Sequence, residues 1–215
     1  MITQIFRKWA DALRHPNALF RKESAARSFS EGAVSTILSG VIVAIISLVS
    51  LNIPGGTSAT TAMMTYGFAA MLSFAMIVVF PILSLVGWLI GSVILYIFAK
   101  VLGGKGTFTA QSHSLALLNS AFGVLMSLIA LILTPVPLAG IAVLIIISIY
   151  NLYALTVSLR SVHRYSNAHA VLTWLIPMII VLIIAFILAV ALAALLFAGV
   201  ASGAFNFTQT PAGFS

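Results

Sequence analysis

Three groups of residues in this chain have the types and spacing to do chemistry. Gly103-Gly104-Lys105-Gly106-Thr107 sets successive glycine N–H groups beside a lysine, a combination that can form an anion-binding nest. His113, His163 and His169 are imidazoles that could ligate a metal or titrate near neutral pH. Asn119, Tyr150, Asn151 and Tyr153 are polar side chains inside apolar stretches, where they could line a hydrophilic path or hydrogen-bond one helix to another. What is absent constrains the chemistry further. The chain has no cysteine, which removes disulfides, thiolate nucleophiles and Fe–S ligation. Its only acidic side chains are Asp11, Glu23 and Glu31, so residues 32–215 hold no carboxylate. Carboxylate pairs for glycoside cleavage, an Asp-oriented serine triad, a His-Glu zinc helix and an intramembrane proton relay are therefore excluded from that region. The expectation is a protein that is not an enzyme, with no catalytic residue.

Each group has a structural reading beside the chemical one. The glycine-lysine loop is not a P-loop, because the four-residue spacer and the Ser or Thr directly after the lysine are missing. It reads as a glycine stop after one helix, with Lys100 and Lys105 reaching to anionic headgroups and Thr107 capping the next helix. The histidine spacings match no ligand pattern, so interfacial hydrogen bonding is expected and neither metal nor cofactor. The buried amides and phenols read first as contacts between helices.

The elements that position these residues follow from composition. Of 215 residues 62% are hydrophobic and 6% charged, with a mean hydropathy of +1.21, whereas an ordinary soluble domain is about a quarter charged. This is an all-α, polytopic membrane helix bundle. Apolar runs long enough to cross a bilayer cover residues 33–51, 64–101, 111–134, 138–159 and 170–200. The second would reach about 57 Å as a single helix, so it is either one long helix kinked at Pro81 or a hairpin turning there. Charge chooses. As one helix it leaves all ten Lys and Arg on one side, and as a hairpin it moves Lys100, Lys105, Arg160 and Arg164 across. The positive-inside rule therefore selects five spans, with the N-terminus in the cytoplasm and the C-terminus outside. Gly87 and Gly91 form a small-xxx-small pair that would admit a neighbouring helix, and Pro177 is a kink candidate in the fifth span.

Residues 1–31 form a basic leader. Ile2, Ile5, Phe6, Trp9 and Leu13 recur at helical spacing opposite Arg7, Lys8, Asp11 and Arg14. This predicts an amphipathic helix on the cytoplasmic leaflet, with Trp9 at headgroup depth and Pro16 ending it. Ser30-Glu31 would cap the first span. The membrane domain covers 32–200, Gly55 to Thr61 make an outer loop, and 201–215 a short outer tail. Candidate contacts with anionic headgroups or a partner are Arg7, Lys8, Trp9, Arg14, Lys100, Gly103, Gly104, Lys105, Gly106, Arg160, His163, Arg164 and His169. A protein partner or a second copy is compatible with the small-residue faces; nucleic acid is not expected, because the net charge of +7 is an orientation signal.

Three stretches carry a family resemblance: Pro16 to Phe20; Trp88-Leu89-Ile90-Gly91 followed by Ala99 to Phe108; and Ser158 to Ser166 followed by His169-Ala170-Val171 and Ile176-Pro177. Together they resemble the Yip domain family, the Ypt/Rab-interacting membrane proteins. The resemblance implies five spans and a cytosolic N-terminus. Eukaryotic members bind small prenylated GTPases and act in endoplasmic reticulum and Golgi trafficking. This chain lacks their long cytosolic region before the first span and looks more like the archaeal and bacterial branch. A prokaryotic plasma membrane is thus the preferred location, with ER or Golgi if the source is eukaryotic, and a small GTPase partner is implied by analogy alone. The expected function is a non-enzymatic scaffold that organises membrane or recruits partners through a basic cytoplasmic surface. A small transporter or channel, or a subunit of a larger complex, are the alternatives.

Overall fold

In hydrocarbon every backbone group must be satisfied within the chain, so apolar runs of this length fold as helices. The computed structural model describes residues 1–24, 28–51 and 59–201. Among the described residues the chain is entirely helical: α1 (Ile2–Arg14), α2 (Pro16–Glu23), α3 (Phe29–Leu51), α4 (Ala59–Val101), α5 (Phe108–Ile132), α6 (Pro137–His163) and α7 (Asn167–Ala201). Five are long and apolar enough to cross a membrane, over Phe29–Ser50, Ala75–Val101, Phe108–Ile132, Pro137–His163 and Asn167–Gly199. The outer loop expected at 55–61 and the tail expected at 201–215 lie outside the described residues, apart from the helical positions 59–61 and 201. Arg27 does as well.

α4 runs unbroken through Pro81, so the long apolar run is one helix and the spans number five. The proline ring is accommodated by a glycine on α3: a Cβ added at Gly40 would fall 2.8 Å from Pro81 Cα. The close approach expected at Gly87 and Gly91 is made at Gly40 instead. Gly87 and Gly91 have nothing within 4 Å of an added Cβ.

Residues 1–174 form one compact unit and 175–215 a second, described within its own bounds as the continuation of α7 with Pro177 inside the helix. In the first unit α5 is central, packing against α3, α4, α6 and both leader helices. Its Leu117, Leu118, Ala121 and Phe122 meet Ile5, Trp9 and Ala12 of α1, Leu19 and Phe20 of α2, and Ala154 and Val157 of α6. Lipid offers helices no hydrophobic gain on association, so packing and hydrogen bonds hold such faces together. Trp88 Nε1 donates to the Ser112 carbonyl at 2.8 Å, and Gln111 Nε2 to the Ser92 carbonyl at 3.0 Å.

The leader differs from the expected arrangement. His15 leaves helical geometry and Pro16 opens α2 at its first turn, where a missing N–H costs nothing. Ile5, Trp9 and Ala12 then turn inward onto protein. Ser28, not Ser30, caps α3: its Oγ accepts the Glu31 N–H at 3.2 Å, and Ser30 is already helical. Thr107 caps α5 as expected, accepting from the Ala110 N–H at 3.3 Å.

Candidate functional site

The candidate residues gather at the end of the bundle that carries α1, α2 and the α4–α5 and α6–α7 connections, the basic end. Its first feature is the glycine loop closed on His163. Gly103 takes φ +82, a left-handed conformation that ends α4. Gly103 and Gly104 N–H donate to the Lys100 and Ala99 carbonyls, Lys105 N–H to the His163 carbonyl at 3.1 Å, and Gly106 N–H to His163 Nδ1 at 3.2 Å. A Cβ at Gly104 would sit 2.5 Å from His163 Nδ1, and one at Gly106 2.6 Å from Val162 Cγ1. The glycines therefore exist to wrap a histidine. The glycine stop expected here is what the loop forms, and the N–H groups of residues 103–106 that an anion nest would present are bonded within the chain.

Nδ1 of His163 accepts, so the network assigns the proton to Nε2, which donates to Gln111 Oε1 at 2.7 Å. His163 is fully buried, as are Gly104 and Gly106 within the same class. These three, expected as headgroup contacts, are scaffolding for the loop. Lys100 is similarly committed: its Nζ donates to the Gly104 carbonyl at 3.2 Å and lies 5.3 Å from the centre of the Tyr96 ring.

The second feature is a charge cluster that fastens the leader to the bundle. Lys8 Nζ lies 2.9 Å from Glu23 Oε2 and 2.7 Å from Glu31 Oε1, and the same Glu23 oxygen takes His113 Nε2 at 2.9 Å. Four helices meet in these contacts. The His113 hydrogen bond, opposed by burial and reinforced by Lys8, holds the Glu23 carboxyl at about 2. Burial pulls the Lys8 ammonium down, but its bonds to Glu31 and Glu23 outweigh that, and its pKa is raised. With Glu23 ionised, His113 presents Nε2–H, and its Nδ1 has no partner.

Trp9 belongs to the same fastening. It is 5% exposed and its indole donates to Ser35 Oγ at 2.8 Å, which donates to Ser120 Oγ at 3.0 Å. The side chain expected to face headgroups packs instead against protein, with its indole N–H satisfied by a hydroxyl between helices. Tyr150 and Tyr153 also tie α6 to the leader, through the Leu13 carbonyl at 2.8 Å and the Asn17 amide at 2.8 Å. Asn151 Oδ1 is buried without a partner. The Asn119 side chain makes no hydrogen bond among the described residues and lines an open cleft of about 330 Å³ between α3, α4 and α5, with Thr36, Ser39 and Ser84.

The three histidines are not brought together. His113 meets Glu23, His163 meets Gln111, and His169 Nδ1 pairs with Ser166 Oγ at 2.8 Å. Among the described residues no group of three His or carboxylate side chains could hold a metal. Arg7 and Arg14 are exposed, and Arg7 lines a groove of about 610 Å³ between α1 and α2 with Lys8, Asp11, His15, Lys22 and Glu23. Arg160 bonds to Asn167 Oδ1 at 3.0 Å and Asn17 Oδ1 at 3.2 Å. Arg164, the left-handed C-cap of α6, has no side-chain partner among the described residues and lines one cavity with Lys105. Sequence reasoning missed Glu23, Gln111 and Gly40. The signal for Glu23 was there: in a chain with three carboxylates, one between two helices needs a cation.

The family model of the Yip1 domain matches residues 10–190, from α1 well into α7. Comparison with curated proteins and with solved structures returns no match. With five membrane-capable helices in the order described, and a match spanning most of the chain, this is an integral membrane protein belonging to the Yip1 domain family.

Proposed function

We propose that the chain is a non-enzymatic membrane scaffold whose basic end faces the cytoplasm, engages the anionic leaflet and recruits partners there. The observation that carries this is the balance of charge at that end. Glu23 and Glu31 are consumed by Lys8 and His113, which leaves Arg7, Arg14, Arg21, Lys22, Lys105 and Arg164 exposed and in no ion pair among the described residues. Basic residues near an anionic surface contribute about 1 kcal/mol each. The leader does this as part of the bundle, its inner face held by Trp9 and Lys8 and its outer face presenting charge. The apolar core that joins α1 and α2 to α5 and α6 supports a scaffold over a conduit. A recruited protein, including a small GTPase of the kind eukaryotic relatives bind, would meet the groove between α1 and α2.

The test uses the full chain in nanodiscs of mixed neutral and anionic lipid, reading the composition of the lipid shell. Anionic lipid should be enriched, the enrichment should fall with salt, and changing Arg7, Arg14, Arg21 and Lys22 to Gln should reduce it several-fold. A shell with bulk composition would set the reading aside.

A further inference from the structure

Four cations stand on the connections of the basic end, and they do not have the same fate. Lys100 closes the glycine loop and Arg160 bridges two asparagines. The side chains of Lys105 and Arg164 make no hydrogen bond or ion pair among the described residues, and both residues line one cavity of about 320 Å³. They come from different connections and meet because the Lys105 N–H is bonded to the His163 carbonyl, next to Arg164 in the chain. Ser24, Thr107 and Ser161 line the same cavity, and of these Ser24 already donates its hydroxyl proton to the Arg21 carbonyl at 2.8 Å. Like charges lining one cavity repel each other, and an anion bound there turns that repulsion into attraction.

We infer that this cavity is a binding site for a phosphomonoester, held by Lys105 and Arg164 with hydroxyl contacts from Thr107 and Ser161. Several features select the chemistry. Two cations match the charge of about −1.5 to −2 that a phosphomonoester carries at neutral pH, whereas a phosphodiester carries one. Arg offers a planar fork of donors and Lys a mobile point charge, a pairing suited to phosphate oxygens. Lys105, Gly106 and Thr107 precede α5 directly, so the positive end of a 25-residue helix adds to the field. The volume equals roughly ten waters' share of liquid, room for a phosphate and part of its substituent. The larger groove between α1 and α2 differs in kind, since Asp11 and Glu23 face its cations.

The cavity lies where α5 begins and α6 ends, at the level of span termini, where headgroup phosphates sit. A monoester lipid headgroup and a soluble phosphomonoester share the chemistry; the lipid source rests on the leaflet reading above. The experiment separates them. The full chain is reconstituted in phosphatidylcholine nanodiscs with a minor fraction of phosphatidic acid or of phosphatidylglycerol, and retained lipid is counted by native mass spectrometry. In parallel, glycerol 3-phosphate is titrated calorimetrically against the chain in neutral nanodiscs. Phosphatidic acid should be retained about tenfold over phosphatidylglycerol. Lys105→Gln with Arg164→Asn should abolish that preference, and Arg7→Gln with Lys22→Gln, equal in charge removed, should keep it. Asn suits the left-handed position of residue 164, and Lys105→Gln alone, on an exposed side chain, gives a second reading independent of that cap. Glycerol 3-phosphate binding with the same variant dependence would keep the site and give it a soluble ligand. Equal retention of both lipids, equal loss in both double variants, or binding in neither arm would overturn it. Enrichment of anionic lipid without monoester preference would leave the leaflet reading standing and this one refuted.

Discussion

Single atoms decide what the glycine loop is for. Gly104 and Gly106 leave room for the His163 ring, and a Cβ at Gly104 would come within 2.5 Å of its Nδ1. Gly104→Ala should therefore destabilise the bundle by about 1–3 kcal/mol, read as unfolding in detergent, while Gly87→Ala, in open space, should change it by less than about 0.5 kcal/mol. The Lys8–Glu23–His113 contacts give a prediction in pH. Glu23 is lowered from 4.5 to about 2, so its contribution is present above pH 4.5 and is lost as pH falls towards 2. Lys8 is raised from 10.5, so its contribution is complete below that value and is lost as pH rises beyond it. Protection of residues 2–14 from hydrogen exchange, relative to the intrinsic rate at each pH, should be highest on the plateau between. Glu23→Gln should remove the acid limb and cost about 1–3 kcal/mol.

The elements are set by two rules acting together, backbone satisfaction in lipid and close approach at small residues. The α3–α4 pair depends on Gly40, whose missing Cβ lets Pro81 sit against α3. Gly40→Ala should weaken that pair by about 1–3 kcal/mol, measured by steric trapping or by unfolding in detergent, with Gly91→Ala as the silent control. The hydrophobic period made helices legible, and the paired prolines at 135 and 137 marked the turn between α5 and α6. Which glycine makes a crossing was not legible, since Gly87 and Gly91 have the motif spacing and Gly40 has no glycine partner at four. The period of α1 was equally plain, but it reports only that one face is apolar. Whether that face meets lipid or protein depends on whether a neighbour offers hydrogen bonds, and Ser35 does.

At the scale of the molecule the proposed orientation is open to a direct test, helped by the absence of native cysteine. Thr3→Cys and Lys105→Cys should label from the cytoplasmic side and Val136→Cys from the other; labelling of all three from one side would refute five spans with opposed ends. The sequence by itself determined the membrane class, the five spans, the family resemblance and the gathering of charge at one end, because hydropathy, proline and net charge act locally or in sums along the chain. The tertiary structure decided the partners. It turned Trp9 and Lys8 inward, closed the glycines on His163, spent Lys100 and Arg160 within the chain, and left Lys105 and Arg164 facing one cavity. The physical reason is that a polar group's role is set by what lies within about 3 Å of it, and residues that far apart in sequence become neighbours only when helices pack.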